Sequence, residues 1–76
     1  MNEHYTLTTD EFYRSVCCME RIGGSFLRSL AEAARRADPD NRARIVAAFP
    51  EYFAHYLALN DGKKRPTPQE MSRAGM

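Results

Sequence analysis

This 76-residue chain lacks any long apolar run and any strong excess of charge of one sign. Nothing approaches the roughly 20 apolar residues that span a bilayer, and the first residues do not follow the charged-then-apolar order of a secretory signal. No membrane association is therefore expected, and the expected location is the cytoplasm. Eleven basic residues against ten acidic ones leave a net charge of +1. A dedicated non-specific nucleic-acid binder would be far more basic. Cysteine is confined to the adjacent pair Cys17 and Cys18. Helix neighbours point about 100° apart, which is the wrong geometry for a disulfide between them. Two ordinary thiols in a reducing compartment are expected.

Chemistry-bearing patterns are equally scarce. The two histidines, His4 and His55, stand far apart and outside any nucleophile or metal-ligand spacing, and the cysteine pair has no second pair to complete a zinc site. Gly23-Gly24 has neither the flanking strand nor the lysine of a phosphate loop. No internal repeat is present. The expectation is a protein without catalytic activity, cofactor or metal, built as one small domain whose stability is marginal at this length.

What the chain does have is rhythm. Phe12, Val16, Met19, Gly23, Phe26, Leu30, Ala33 and Ala37 follow at alternating spacings of four and three, the stripe of an amphipathic helix. Arg14, Arg21, Arg28 and Arg35 recur every seven residues on the opposite side; along one helix they would run about 31 Å. Thr8 and Glu11 form a capping box, with Leu7 and Phe12 as its hydrophobic staple, so this helix should begin at residue 9. The unbroken phase across Gly23-Gly24 favours one continuous or gently kinked helix. A break at Gly24, with Ser25 capping a new helix, is the alternative. Gly23 on the stripe suggests close approach of another helix, and Cys17, Gly24 and Ala31 form a flanking row of small residues.

Asp38-Pro39 marks the next start, an N-cap followed by proline at the first helical position. Ile45, Phe49, Tyr52, Tyr56 and Leu59 continue the apolar pattern, widened by Val46, Phe53 and Leu57, but Pro50 interrupts it. A proline there cannot donate to the carbonyl of Val46 and biases Phe49 towards extended backbone. Two short helices, about 39–48 and 50–59, are expected to meet at an aromatic elbow. Asn60-Asp61-Gly62 is a helix stop. Residues 63–76 carry four basic residues against one acidic and read as a basic, mobile tail following a single helical domain over 1–62. Thr67-Pro68-Gln69-Glu70 repeats the capping-box pattern, so a short helix near 68–73 is expected to form against a partner. The fold class is all-α: a bundle of three main helices with Phe12, Val16, Met19, Phe26, Leu30, Ile45, Phe49, Phe53 and Leu57 in its core.

The candidate partner-binding residues are Arg14, Arg21, Arg28, Tyr52, Tyr56, Lys63, Lys64 and Arg65. Arg14 can pair with Asp10 or Glu11, and Glu32 lies within helical reach of Arg28, Arg35 and Arg36. Arg21 has no acidic residue three or four positions away and keeps its charge for a partner. A second outline is a helix-turn-helix: Phe26 to Ala37, a turn at Asp38-Pro39-Asp40, then a helix opening with Asn41, Arg42 and Arg44. Its turn is acidic and lacks the usual glycine.

The runs Glu20-Arg21-Ile22-Gly23-Gly24-Ser25-Phe26, Leu30-Ala31-Glu32-Ala33, Ala37-Asp38-Pro39-Asp40-Asn41-Arg42 and Ala48-Phe49-Pro50-Glu51, spread over about residues 11–57, resemble small proteins of bacteriophages and prophages. That resemblance implies a setting in which inhibitors of bacterial defence, anti-CRISPR proteins among them, occlude a host protein. It carries over no functional residue. The expected partner is a host protein or complex such as a CRISPR-Cas effector. A homodimer is also expected, since a chain this short has reason to bury more surface.

Overall fold

The computed structural model describes residues 5–73. Five helices follow in order: α1 Thr9–Ile22, α2 Gly24–Arg36, α3 Pro39–Ala48, α4 Pro50–Asn60 and α5 Pro68–Arg73. No strand occurs among the described residues, so the fold is all-α. The α1 helix is central, packing most extensively against α4 and α2 and also touching α5.

The capping box forms as its spacing requires. The Glu11 N–H donates to Thr8 Oγ1 at 3.1 Å, and the Thr8 N–H donates to the Glu11 carboxylate at 3.0 Å. Helix α1 therefore starts at residue 9.

It does not continue through the glycines. The expected long first helix is two helices, and the bundle has five rather than three. Gly24 sits at φ +85°, outside the right-handed helical region and accessible to glycine without strain. Gly23 closes α1 by donating its N–H to the Met19 carbonyl at 2.8 Å. Ser25 is not the cap of the new helix; Gly23 holds that position without a side-chain bond. The chain turns back, and α2 packs along α1, with the Arg35 guanidinium donating to both Glu20 carboxylate oxygens at 2.8 and 3.0 Å.

The break also shifts the buried register by one residue. On α2 the core positions are Leu27, Ala31 and Ala34, spaced four and three, instead of Phe26, Leu30 and Ala33. Phe26 is 58% exposed, Ala33 is exposed, and Leu30 only borders the core. The four arginines consequently do not share one helix face: Arg14 and Arg21 belong to α1, Arg28 and Arg35 to α2.

Phe12, Val16, Met19 and Phe53 are fully buried, and the Phe12 and Phe53 rings stack at 6.2 Å between centroids. Ile45 and Phe49 pack against this core from its margin, and Leu57 is half-buried. Ser15 is buried as well, with its hydroxyl donating to the Phe12 carbonyl at 2.7 Å, so no polar group is left unmatched there. Proline at the start of both α3 and α4 gives the elbow expected at Phe49-Pro50. Gly62 at φ +76° ends α4, and the Lys63 N–H returns to the Ala58 carbonyl at 2.8 Å.

The last helix stands on the chain's own surface, where a partner had been expected to support it. Thr67 and Glu70 form a second capping box, at 2.9 and 3.2 Å, and the Arg73 guanidinium donates to the Ile22 carbonyl at 3.2 Å. The single large burial that holds α5 is Glu70, 5% exposed.

Candidate functional site

Six of the eight residues named from sequence fall in three regions, and Arg28 and Lys63 lie apart. Arg14 is engaged inside the fold: it donates to Asp10 at 2.9 Å and also to Asp61, tying α1 to the end of α4. The hydrogen bond with Arg14, reinforced by Asn60, holds the Asp61 carboxyl below its ordinary value. Tyr56 is not on the surface. It is 5% exposed, because the α4 face carrying Phe53 and Tyr56 turns onto α1. Burial, then its hydrogen bond to Glu70, pushes the Tyr56 hydroxyl up to about 12.

Glu70 is the centre of a small polar cluster. Its carboxylate accepts from the Thr67 N–H, from His55 Nε2 at 3.1 Å, and from Tyr56. Burial alone would raise its pKa, but the Thr67, His55 and Tyr56 bonds together outweigh it and hold the group below its ordinary value. Lys64 donates to the other ring nitrogen of His55 at 3.4 Å, which fits a ring whose Nε2–H points at Glu70. Lys64 thus supports α5. The His55–Glu70 pair joins α4 to α5. His4 lies outside the described residues.

The second region is aromatic. Phe26, Phe49 and Tyr52 enclose one another at centroid distances of 6.5, 6.1 and 5.9 Å. Phe26 and the 38%-exposed Tyr52 face solvent. Tyr52 and Phe49 were legible as an elbow; Phe26 joins them only because the glycine break rotates it out of the core.

The third region is a groove of about 550 Å³ where the end of α1 meets α4 and α5. Ile22, Leu59, Pro66, Pro68 and Met71 line it, and Arg21 and Arg65 stand with them. Met71 is 41% exposed. Neither arginine makes an ion pair among the described residues, and no carboxylate lines the groove. Cys18 is its thiol floor, and burial raises that thiol above its ordinary value despite nearby Arg21. Two cations 44 positions apart in sequence are gathered around one apolar surface. Arg28 lies elsewhere, in a shallow depression with Ser25, Ser29 and Glu32, while Glu32 itself pairs with Arg36 at 3.0 Å. Lys63 is exposed and joins none of these regions.

Sequence reasoning missed the groove because it depends on where α5 docks, and missed the burial of Glu70. The Thr67–Glu70 capping box was the available signal for both. Among the described residues no cluster of potential ligands could hold a metal ion, and no helix is long and apolar enough to cross a membrane. No protein-family model, curated protein or solved structure matches the chain.

Proposed function

We propose that this protein works by binding another protein, taking an acidic, amphipathic segment of its partner into the groove between α1 and α5. The observation that carries this reading is the pair Arg21 and Arg65, without an ion pair among the described residues, beside exposed Met71 and an apolar floor. An apolar centre with cationic edges suits a partner that offers apolar anchors and carboxylates together, and Arg and Met are residues enriched at such surfaces. The setting we propose, on the sequence runs alone, is a phage accessory protein that blocks a host component in the bacterial cytoplasm, with a CRISPR-Cas effector as the target. Its action is occlusion, without catalysis.

The DNA-binding alternative has less to draw on. Of the three polar residues at the start of α3, the Asn41 side chain donates to Asp38 at 2.6 Å, and the Arg42 guanidinium lies over the buried Phe12 ring. Only Arg44 is left to meet a base edge. The test is capture from a nuclease-treated bacterial lysate with wild-type protein and with the Arg21→Glu/Arg65→Glu double variant. A protein retained by wild type and lost from the folded double variant supports the reading. Recovery of duplex DNA alone, with binding that falls steeply with salt, favours the regulator.

A further inference from the structure

The Arg42 guanidinium is turned onto aromatic rings with no anion to meet it among the described residues. It lies 4.4 Å from the Phe12 ring centroid and 5.6 Å from that of Tyr13. Its Nε is buried and makes no hydrogen bond. No ion pair reaches it among the described residues, and three nearby carboxylates are engaged elsewhere. Asp10 holds Arg14, Glu11 caps α1 through the Thr8 N–H, and Asp38 accepts from Asn41.

Arg42 lines a cleft of about 200 Å³ between the chain entering α1 and the first turns of α3. Leu7, Phe12 and Val46 give it apolar walls, and Thr6 and Thr8 add hydroxyls. Thr8 Oγ1 already accepts from the Glu11 N–H, which leaves its own proton to donate. We propose that this cleft is a binding site for a carboxylate carried on a small apolar body, with the Arg42 fork receiving the carboxylate. This goes beyond the groove at α5 and does not depend on it.

Three properties select that ligand class. A planar guanidinium matches a carboxylate in two parallel bonds, and stacking on two rings has already fixed its orientation. Asp10, Glu11 and Asp38 in the surrounding turns disfavour a dianion such as phosphate. The cleft is smaller than the roughly 300–1,000 Å³ of drug-sized pockets, so the body is of the size of a benzene ring or one amino-acid side chain. Both a free acid and the terminal residue of a peptide offer this chemistry.

The experiment is an amide chemical-shift titration of the full chain with sodium benzoate, with benzamide, and with N-acetyl-glycyl-phenylalanine in free-acid and amidated forms. Saturable shifts at Thr6, Thr8, Phe12 and Val46 with at least one acid, and none with the matching amide, are expected. Benzoate as the stronger ligand identifies a free acid; the peptide acid as the stronger ligand identifies a chain terminus. Arg42→Met should weaken the binding at least about tenfold, which is about 1.4 kcal/mol. Ala43→Leu, at an exposed α3 position beside the cleft, should also weaken it while leaving Arg42 and the fold in place. Absence of saturable shifts at millimolar acid overturns the proposal, as do equal shifts with acid and amide, or unchanged affinity in both variants.

Discussion

Gly23 and Gly24 do different work, and alanine at each should report it. A methyl group on Gly23 would stand 2.5 Å from the Met19 carbonyl oxygen and 2.7 Å from Leu27 Cβ, so backbone would have to move. On Gly24 the obstacle is φ +85°, with Arg73 Cζ at 3.1 Å as a second crowding contact. Each substitution should therefore destabilise by more than about 1 kcal/mol, where a merely flexible joint would gain from alanine. Thermal unfolding of the two single variants decides this, and a raised melting temperature for Gly23→Ala contradicts it. Arg42 behaves oppositely. Its orphaned Nε carries a penalty of about 1–3 kcal/mol, set against a cation–π gain of about 0.5–2 kcal/mol. Methionine keeps a flexible apolar stem over Phe12. Arg42→Met should melt no lower than wild type, as expected of a residue retained for binding.

At the scale of elements, the Glu70 cluster should make the docking of α5 depend on pH at both ends. Glu70 has a folded pKa below its ordinary 4.5, so the unfolded chain binds more protons in acid. Its contribution is present above pH 4.5 and is lost as pH falls through the lower folded value. Asp61 adds a loss of the same sign below 3.8. Tyr56 is raised, so its contribution is complete below pH 10.0 and is lost as pH rises towards about 12. Glu70→Gln should flatten the acid limb and loosen α5 first, which proton exchange at Met71 and Ser72 would show. The elements themselves were largely legible in sequence: both capping boxes, both proline starts and the Gly62 stop mark helix ends through local chemistry. The α1–α2 break was not, because the stripe from Met19 to Phe26 keeps a helical phase through the glycines. Only the positive φ at Gly24 shows that the phase is abandoned. The alternative stripe Leu27, Ala31 and Ala34 has equally good spacing, so periodicity could not choose between them. The groove was illegible for a related reason: it is made by tertiary docking of Arg65 and Met71 next to Arg21, and no local pattern encodes that contact.

For the whole molecule, a core this small leaves little reserve. Phe53 is fully buried and stacked on Phe12, and Phe53→Ala should cost about 3–5 kcal/mol, a large share of the stability of a domain this size, and lower its melting temperature sharply. Circular dichroism of that variant checks it. The solvent-facing Phe26 and Tyr52 beside Phe49 also give the chain an apolar patch that self-association would cover, and a homodimer remains the assembly we propose for the free protein. Light scattering should give twice the monomer mass at high micromolar concentration and the monomer mass for Phe26→Asp. A monomer at that concentration in wild type contradicts it.

The central claim is that the Arg21–Arg65 groove is the surface that meets the partner, and an amide-exchange footprint of the captured complex tests it most directly. Binding should protect the last turn of α1 and the first turns of α5, from Arg21 and Ile22 to Met71. Arg21→Glu should weaken the complex by about 1 kcal/mol or more without lowering the melting temperature, while neutralising Lys63, which is exposed and outside the groove, should chiefly slow association. Protection confined to Phe26, Phe49 and Tyr52, with Arg21→Glu binding as tightly as wild type, would contradict the claim and move the interface to the aromatic elbow.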